Sequence, residues 1–576
     1  MTPRWHCGAH PIRYRLVSDH YDRQTGDLVS DEDRGAATRP RGESSPTKSA
    51  GRPGSPGLTR LIGWLAATAI AASTLTMIAI PAAGPNVSVP ATSRLGGGPP
   101  WWHPLHLTAT VVTMSLWTAM ALGCAGVIAG LVAVARGARP PVRPVLAASF
   151  LAVTVLTVLP SAGSTDSISY AASGRTAVIG HSPYVMTPRQ LQRSGDPVGR
   201  QIPSREIPSS WMSAVSVYGP VATAAEWTAA ELGGTSLARI TFWLKLEEAI
   251  AFGAVVLALD RLLRADPEMR LRAHLLWSVN PLLLWEIVAG GHIDGLAAAF
   301  GLFGIVALRV RTPAGDGTPR PAIPALASPV LARAGLAGLL IGVATGLKVE
   351  YALLGLAVAW ACRRSVTALA AAAAGFAVVI GPAYLAAGTA AIRVLVTRSG
   401  GITWDTMYQL FWRPVLGYTH FSVSSAPAHL QLVAYLLFAG VALLALLRLP
   451  DRTPGLPAVA PALALSLAWL FVTPFQRPWY DVMAVSLLAL YSASWLDWVV
   501  LIRLLAGATV YAQAVQSPAE PHWLYDLAQF NGTWLTPGIR LLAAVALVWF
   551  CVWGRWGWRS RSAAASGRLP ELLPTT

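Results

Sequence analysis

Chemistry in this chain can be organised around Asp166. It stands in Ser161-Ala-Gly-Ser-Thr-Asp-Ser-Ile-Ser-Tyr170, six residues after Pro160 closes an apolar run, so a carboxylate sits at the mouth of the helical bundle to which that run belongs. Ionisable groups at membrane depth are costly to keep there, which marks each one as a functional candidate. The segment continues through Tyr170, Gly174-Arg175 and Gly180 to Pro183-Tyr184, and Tyr218-Gly-Pro220 follows. Three later stretches carry polar groups between apolar runs: Gly290-Gly-His292-Ile-Asp294, Gly346-Leu-Lys348-Val-Glu350 and Arg477-Pro-Trp-Tyr480. A lone carboxylate can take a proton as a general base. Arg175, Lys348, Arg477 and His292 can hold a developing anion with fixed charge and hydrogen bonds.

Each of these residues also has a structural reading. Asp166 suits the cap of a helix that starts after Pro160 and Ser161. Arg175 and Arg477 suit interfacial anchors that reach headgroups, and Lys348 with Glu350 suits a local ion pair within the membrane. His292 and Asp294, beside the turn that Gly290 and Gly291 permit, suit a re-entrant polar plug. Trp479 and Tyr480 suit an aromatic belt.

The elements that must position these groups follow from composition. The chain has 576 residues, 54% hydrophobic and 12% charged, with a mean hydropathy of +0.49. A soluble domain carries about 25% charged residues, so one large polytopic membrane domain fits better than several soluble ones. The 44 basic residues exceed the 28 acidic ones by 16. The basic residues are almost all arginine, in short clusters between apolar runs. That is the pattern of cytoplasmic loops rather than of a nucleic-acid surface, and no nucleic-acid partner is expected. Cys7, Cys124, Cys362 and Cys551 are too scattered for a metal motif or a disulfide framework.

Residues 1–57 lack apolar periodicity and read as a disordered cytoplasmic tail. Residues 58–83 read as a retained signal anchor. Further spans are expected near 107–135, 144–160, 236–260, 273–290, 294–309, 332–347, 349–362, 366–387, 430–448, 456–474, 480–496, 498–515 and 537–554. The expected fold is an all-α polytopic transmembrane bundle of about 12 to 14 spans over 58–555, with a cytoplasmic C-terminal tail at 556–576. The clusters Arg136/Arg139/Arg143, Arg261/Arg264/Arg270/Arg272, Arg309/Arg311/Arg320, Arg363/Arg364, Arg448/Arg452 and Arg555/Arg559/Arg561 fall on one side if both termini are cytoplasmic. Segments 84–106, 161–235, 388–429 and 516–536 then lie on the outer face. No Walker A sequence or GxGxxG turn is present, so this chain alone is not an ATP-driven pump.

The order Asp166, Tyr170, Gly174-Arg175, Gly180, Pro183-Tyr184 and Tyr218-Gly-Pro220 resembles the first outer loop of the C-type (GT-C) glycosyltransferases. It is similar in particular to the actinobacterial alpha-mannosyltransferases that use polyprenyl phosphomannose. Asn280-Pro281 with Gly290-Gly-His-Ile-Asp294, Gly346-Leu-Lys348 and Pro478-Trp-Tyr480 agree with it, in ordered fragments over roughly 58–555. Two departures stand out: Lys348-Val349-Glu350 replaces a common Lys-Pro pair, and His292-Ile293-Asp294 replaces a common His-Asn-Asp. Many C-type enzymes pair acidic residues in this loop, whereas Asp166 has no acidic neighbour.

The resemblance implies a hexosyltransferase in the inner (plasma) membrane with an extracytoplasmic active site. Its donor would be a polyprenyl phosphate sugar, mannose first, and its acceptor an envelope glycolipid or polysaccharide, with membrane lipids around it and no cofactor required. Asp166 would be the catalytic base. Arg175, Lys348, Arg477, His292, Asp294, Tyr170, Tyr218 and Tyr480 would bind substrate or phosphate. One carboxylate suffices, because a departing phosphate needs no general acid, whereas glycoside hydrolysis usually takes two opposed carboxylates. A single in-line displacement would invert the anomeric centre, giving an alpha product from a beta-linked donor. A transporter or lipid-linked sugar flippase is the rival from another class, and a non-catalytic subunit of an envelope-synthesis complex is a third reading.

Overall fold

The computed structural model describes residues 56–91, 105–203, 209–309, 329–398, 401–403, 405–411, 428–450, 453, 455–512 and 521–553. The expected tails, 1–57 and 556–576, lie outside these residues, except that Pro56 and Gly57 open the first helix. Arg311, Arg320, Arg452, Arg555, Arg559 and Arg561 lie outside them as well. Among the described residues helix is the only repeating structure, apart from one bridge between Asn86 and Val89.

Helices α1 (Pro56–Ala82) and α2 (Ala109–Ala135) pack along one another. Small residues let their backbones approach: a Cβ on Gly126 would come within 3.0 Å of Ala69 and Ile70. Helix α3 (Val142–Val158) ends ahead of Pro160. The long segment after it holds α4 (Asp166–Val178), α5 (Pro188–Arg193), α6 (Pro197–Gln201), α7 (Ser209–Met212) and α8 (Pro220–Gly233). Helix α9 (Leu237–Leu262) is long enough to cross a bilayer, but it carries Lys245, Glu247 and Glu248. Next come α10 (Pro267–Ala273) and α11 (Pro281–Leu283), each running into a π-helical turn, at His274–Ser278 and Leu284–Ala289. The chain then bends by 115° into α12 (Asp294–Ala307). Gly291 supports the turn with φ +66°, a conformation a β-carbon disfavours.

The rest comprises α13 (Pro329–Leu347), α14 (Ala352–Cys362), α15 (Val366–Arg398), α16 (Ala428–Arg448), α17 (Val459–Val472), α18 (Val482–Leu488), α19 (Leu496–Tyr511), α20 (His522–Phe530) and α21 (Thr536–Trp553). Six helices among the described residues are long and apolar enough to span, taking His522–Trp553 as one, and seven if the bent pair counts as a single span. Segments 142–158, 349–362 and 459–472 are shorter apolar helices. The all-α polytopic bundle is therefore present. Several runs expected as separate spans are short helices within its core: α18 is entirely buried yet only 7 residues long. Hydropathy does not separate a core helix of that kind from a membrane crossing.

Buried cations satisfy the backbone at the breaks. Lys245 Nζ donates to the carbonyls of Leu156 at 2.5 Å and Leu159 at 2.6 Å, closing the end of α3. Arg272 donates to Leu488 O at 3.0 Å and Tyr491 O at 2.8 Å and pairs with Asp497, holding the turn between α18 and α19. Arg272 is thus buried within the bundle rather than part of an exposed loop cluster. Unsatisfied carbonyls at such breaks would be costly in a low-dielectric interior.

Candidate active site

Five stretches of chain meet at one end of the bundle. They are the start of α4, Tyr218 ahead of α8, the bend before α12, the turn between α13 and α14, and the turn between α17 and α18. Glycines make the approach possible. Gly219 N–H donates to Leu347 O at 3.2 Å, and a Cβ on Gly219 would lie 2.1 Å from Gly346 O. This backbone contact carries Tyr218 to Lys348, whose Nζ is 5.8 Å from the Tyr218 ring centre. The Tyr-Gly-Pro and Gly-Leu-Lys stretches are two halves of one joint. Gly174 likewise seats α4 on α8, where a Cβ would lie 2.1 Å from Glu226 O.

Asp166 opens α4 and is half-buried. Thr165 holds the cap position and makes no side-chain capping bond, so the carboxylate is not used as a helix cap. Its place in the first turn is favourable for negative charge. Burial pushes the Asp166 carboxyl above its usual range, opposed by the charges of Arg477 and Lys348 and by a hydrogen bond from Tyr170. The Tyr170 and Tyr218 hydroxyls are 2.9 Å apart, with the rings edge to face at 5.0 Å.

Lys348 Nζ lies 2.7 Å from Asp294 and 3.1 Å from Glu350, and 3.8 Å from the centre of the Tyr480 ring. Two carboxylates already share its charge. Arg477 differs: its guanidinium lies 4.7 Å from the Phe475 ring and 5.1 Å from the Tyr511 ring. Among the described residues it has no acidic partner. A nearly buried guanidinium with an open fork is a ready anion site.

His292 is fixed from three sides. Its ring stacks on Trp479 at 3.7 Å and 13°, Nδ1 meets the Glu286 carbonyl, and Nε2 lies 2.8 Å from Ser164 Oγ. A carbonyl only accepts, so Nδ1 carries the proton; in the neutral ring Nε2 then accepts from the Ser164 hydroxyl. Ser164 Oγ in turn accepts from the Asp166 N–H at 3.1 Å. His292 is therefore linked to the Asp166 backbone through Ser164.

Asp166, Tyr170, Tyr218, His292, Asp294, Lys348, Arg477 and Tyr480 thus come together. Arg175 does not join them. It is held by Asp196 at 2.8 Å, and Asp196 also caps α6 by accepting from Val198 N at 2.8 Å and Gly199 N at 3.2 Å, so Arg175 ties α4 to α6. Ser164, Phe475 and Tyr511 also line the site, although nothing in the sequence distinguishes a serine two residues before an aspartate, or one aromatic residue among many. Among the described residues no group of three or more His, Cys, Asp or Glu side chains is arranged to hold a metal ion.

The turn bearing Arg477 and Tyr480 is bolted from behind. Arg503 pairs with Asp481 and donates to Gln476 Oε1 at 3.0 Å and Leu470 O at 2.8 Å. Thr403 clamps the same turn, donating to Pro474 O at 3.0 Å and accepting from Gln476 N at 3.2 Å.

Residues 60–364 match the family described as alpha-(1->6)-mannopyranosyltransferase, N-terminal domain. That segment is more than half of the chain, and the chain belongs to this family. It contains Asp166, Tyr170, Tyr218, His292, Asp294 and Lys348, whereas Arg477 and Tyr480 come from beyond it. No curated protein matches the chain. The chain is a multi-pass membrane mannosyltransferase of the GT-C type that forms alpha linkages.

Proposed function

We propose that this mannosyltransferase takes mannose from a polyprenyl phosphate donor and passes it, with inversion, to a hydroxyl of an envelope glycolipid or polysaccharide on the extracytoplasmic side of the plasma membrane. The observation that carries this reading is that one half-buried carboxylate, Asp166, lies within the electrostatic reach of one cation, Arg477, that forms no ion pair among the described residues. Asp166 takes the proton of the acceptor hydroxyl. The freed oxygen pair attacks the anomeric carbon from the face opposite the phosphate, the bond from that carbon to the phosphate oxygen breaks, and its electrons leave with the lipid phosphate. Charge grows on that oxygen as the bond lengthens, so a guanidinium fork positioned there stabilises the transition state more than the bound donor.

Lys348 adds positive charge near the same place, but it is shared with Asp294 and Glu350. Its larger role is to hold Asp294, Tyr218 and Tyr480 in register. His292 acts through Ser164 as a positioning residue for Asp166. Tyr170, Tyr218 and Tyr480 give the sugar hydroxyls and faces an amphipathic wall. The outward orientation is supported by the helices themselves: α12, α13, α14 and α17 each have one end at the site, and α12 and α14 run from it to Arg309 and Arg363.

Radiolabelled polyprenyl phosphomannose incubated with the purified chain and a glycolipid acceptor fraction tests the reading. Labelled alpha-mannosyl product from the parent protein and none from Asp166→Asn is expected. Transfer by both proteins alike removes Asp166 as base, and transfer from GDP-mannose but not from the lipid donor removes the donor assignment.

A further inference from the structure

We infer that the cavity at the far end of α14 and α17 from the active site binds the phosphate-bearing headgroup of an anionic membrane lipid. The cavity has a volume of about 370 Å³ and is lined by Arg363, Arg364, Trp360, Leu446, Ala460 and Pro461, among others. None of its lining residues belongs to the active site. Helices α14 and α17 pack against each other. One of them starts just after Lys348–Tyr351 and finishes at Arg363; the other starts at the cavity and finishes just before the Arg477 turn. With 11 and 14 residues, they separate the two places by roughly 16 to 21 Å at 1.5 Å per residue.

Charge, shape and surroundings all suit a lipid phosphate. Among the described residues neither Arg363 nor Arg364 has an acidic partner, and no acidic residue lines the cavity. Arg363 is held in place by donating to Trp360 O at 2.7 Å and by lying over the Trp360 ring at 4.5 Å, and both arginines are exposed. The first turn of α17 forms another wall, and the positive end of its dipole adds to the arginines. The volume exceeds what a bare phosphate fills and lies in the range of ligand-sized pockets. Apolar side chains lead away from it: Leu356 and Trp360 on α14, and Leu443 and Leu447 on α16, are exposed to the surroundings at 46 to 69%. A headgroup in the cavity can therefore lay its acyl chains along two apolar stripes, which a free anion cannot use.

Thermal unfolding of the purified full-length chain in phosphatidylcholine micelles tests this, with phosphatidylglycerol, extra phosphatidylcholine or inorganic phosphate added. Phosphatidylglycerol is expected to raise the melting temperature in a saturable way, while phosphatidylcholine and inorganic phosphate leave it in place. In Arg363→Gln/Arg364→Gln the apparent phosphatidylglycerol affinity should fall roughly tenfold or more, from the loss of two interfacial cations. Arg261→Gln/Arg264→Gln, which removes equal charge at another exposed loop, should bind as the parent does. Arg364→Glu alone, at an exposed position, serves if the double variant fails to fold, and it should also lose the shift. Equal stabilisation by inorganic phosphate would replace the lipid with a simple anion. An unchanged phosphatidylglycerol effect in the cavity variants, or an equal loss in the Arg261/Arg264 control, would overturn the site. Mannose transfer does not enter this readout, so its outcome is independent of the donor and base assigned above.

Discussion

At the residue scale, the distinction that matters is between a charge already matched and one left open. Lys348 sits against two carboxylates, whereas Arg477 lies among aromatic rings. Arg477→Gln should therefore lower the turnover number by about 2 to 4 kcal/mol in barrier, as for loss of one preorganised donor at a developing anion, with a smaller rise in the apparent donor constant. Lys348→Met should raise the donor constant and lower turnover together, because it releases Asp294, Tyr218 and Tyr480 as well. Steady-state kinetics normalised to folded protein separate the two patterns. The pH profile gives an independent measure. As the proposed base, Asp166 would have to be ionised, so activity would rise with pH through its pKa; burial raises that pKa and Arg477 lowers it. The acid limb of kcat/KM should accordingly lie above that of an ordinary aspartate and move further towards alkaline pH in Arg477→Gln. A limb that stays put would mean that Arg477 does not act on Asp166. Ser164→Ala should cost turnover while leaving the donor constant near its parental value, and Ser164→Thr should recover most of it.

At the element scale, the site depends on joints between helix ends. The turn after α17 carries two site residues and is held by the buried Arg503–Asp481 pair, with Gln476 as a third partner. Removing one member leaves the other charge unmatched in the interior, which costs about 3 to 5 kcal/mol. Arg503→Met should therefore lower the melting temperature sharply, and Arg503→Met/Asp481→Asn should regain much of the loss. Differential scanning fluorimetry in detergent would show this recovery, and a double variant no more stable than Arg503→Met would refute the pairing argument. Gly219→Ala is the corresponding test on the other side. Its Cβ would meet the Gly346 carbonyl, so Tyr218 should be displaced from Lys348 and activity should fall.

At the scale of the whole molecule, helix ends are sorted. The active site gathers at one end of the helices that build it, while Arg136, Arg139, Arg261, Arg264, Arg309, Arg363 and Arg364 lie at ends away from it. Under the positive-inside rule this sorting supports the outward-facing site proposed above. In a background without native cysteines, Ser182→Cys in the long segment between α3 and α9 should react with an impermeant thiol reagent in intact cells, and Ala265→Cys between α9 and α10 should not. Both positions are exposed. The opposite labelling pattern would place the active site on the cytoplasmic side and remove the lipid-phosphate donor from the reading.

The membrane class, the all-α architecture, the family resemblance and most of the residues that meet at the candidate site were legible in the sequence, because hydropathy, the isolated Asp166 and the short Gly-rich polar stretches are local signals. The sequence identified Asp166, Tyr170, Tyr218, His292, Asp294, Lys348, Arg477 and Tyr480 as residues of interest, though not which of them touch. Partner choice was decided only in three dimensions. Arg175 and Arg477 look alike in sequence, yet one is neutralised by Asp196, 21 residues away, and the other has no acidic partner among the described residues. His292 looks like an anion ligand until its ring is found stacked on Trp479 and joined to Ser164, 128 residues earlier. The number of crossings was likewise beyond hydropathy, since α18 is as apolar as a span but is buried by its neighbours after 7 residues. Chain composition records how costly water is for each segment, whereas the contacts that satisfy buried charges join distant segments and exist only once the helices have packed.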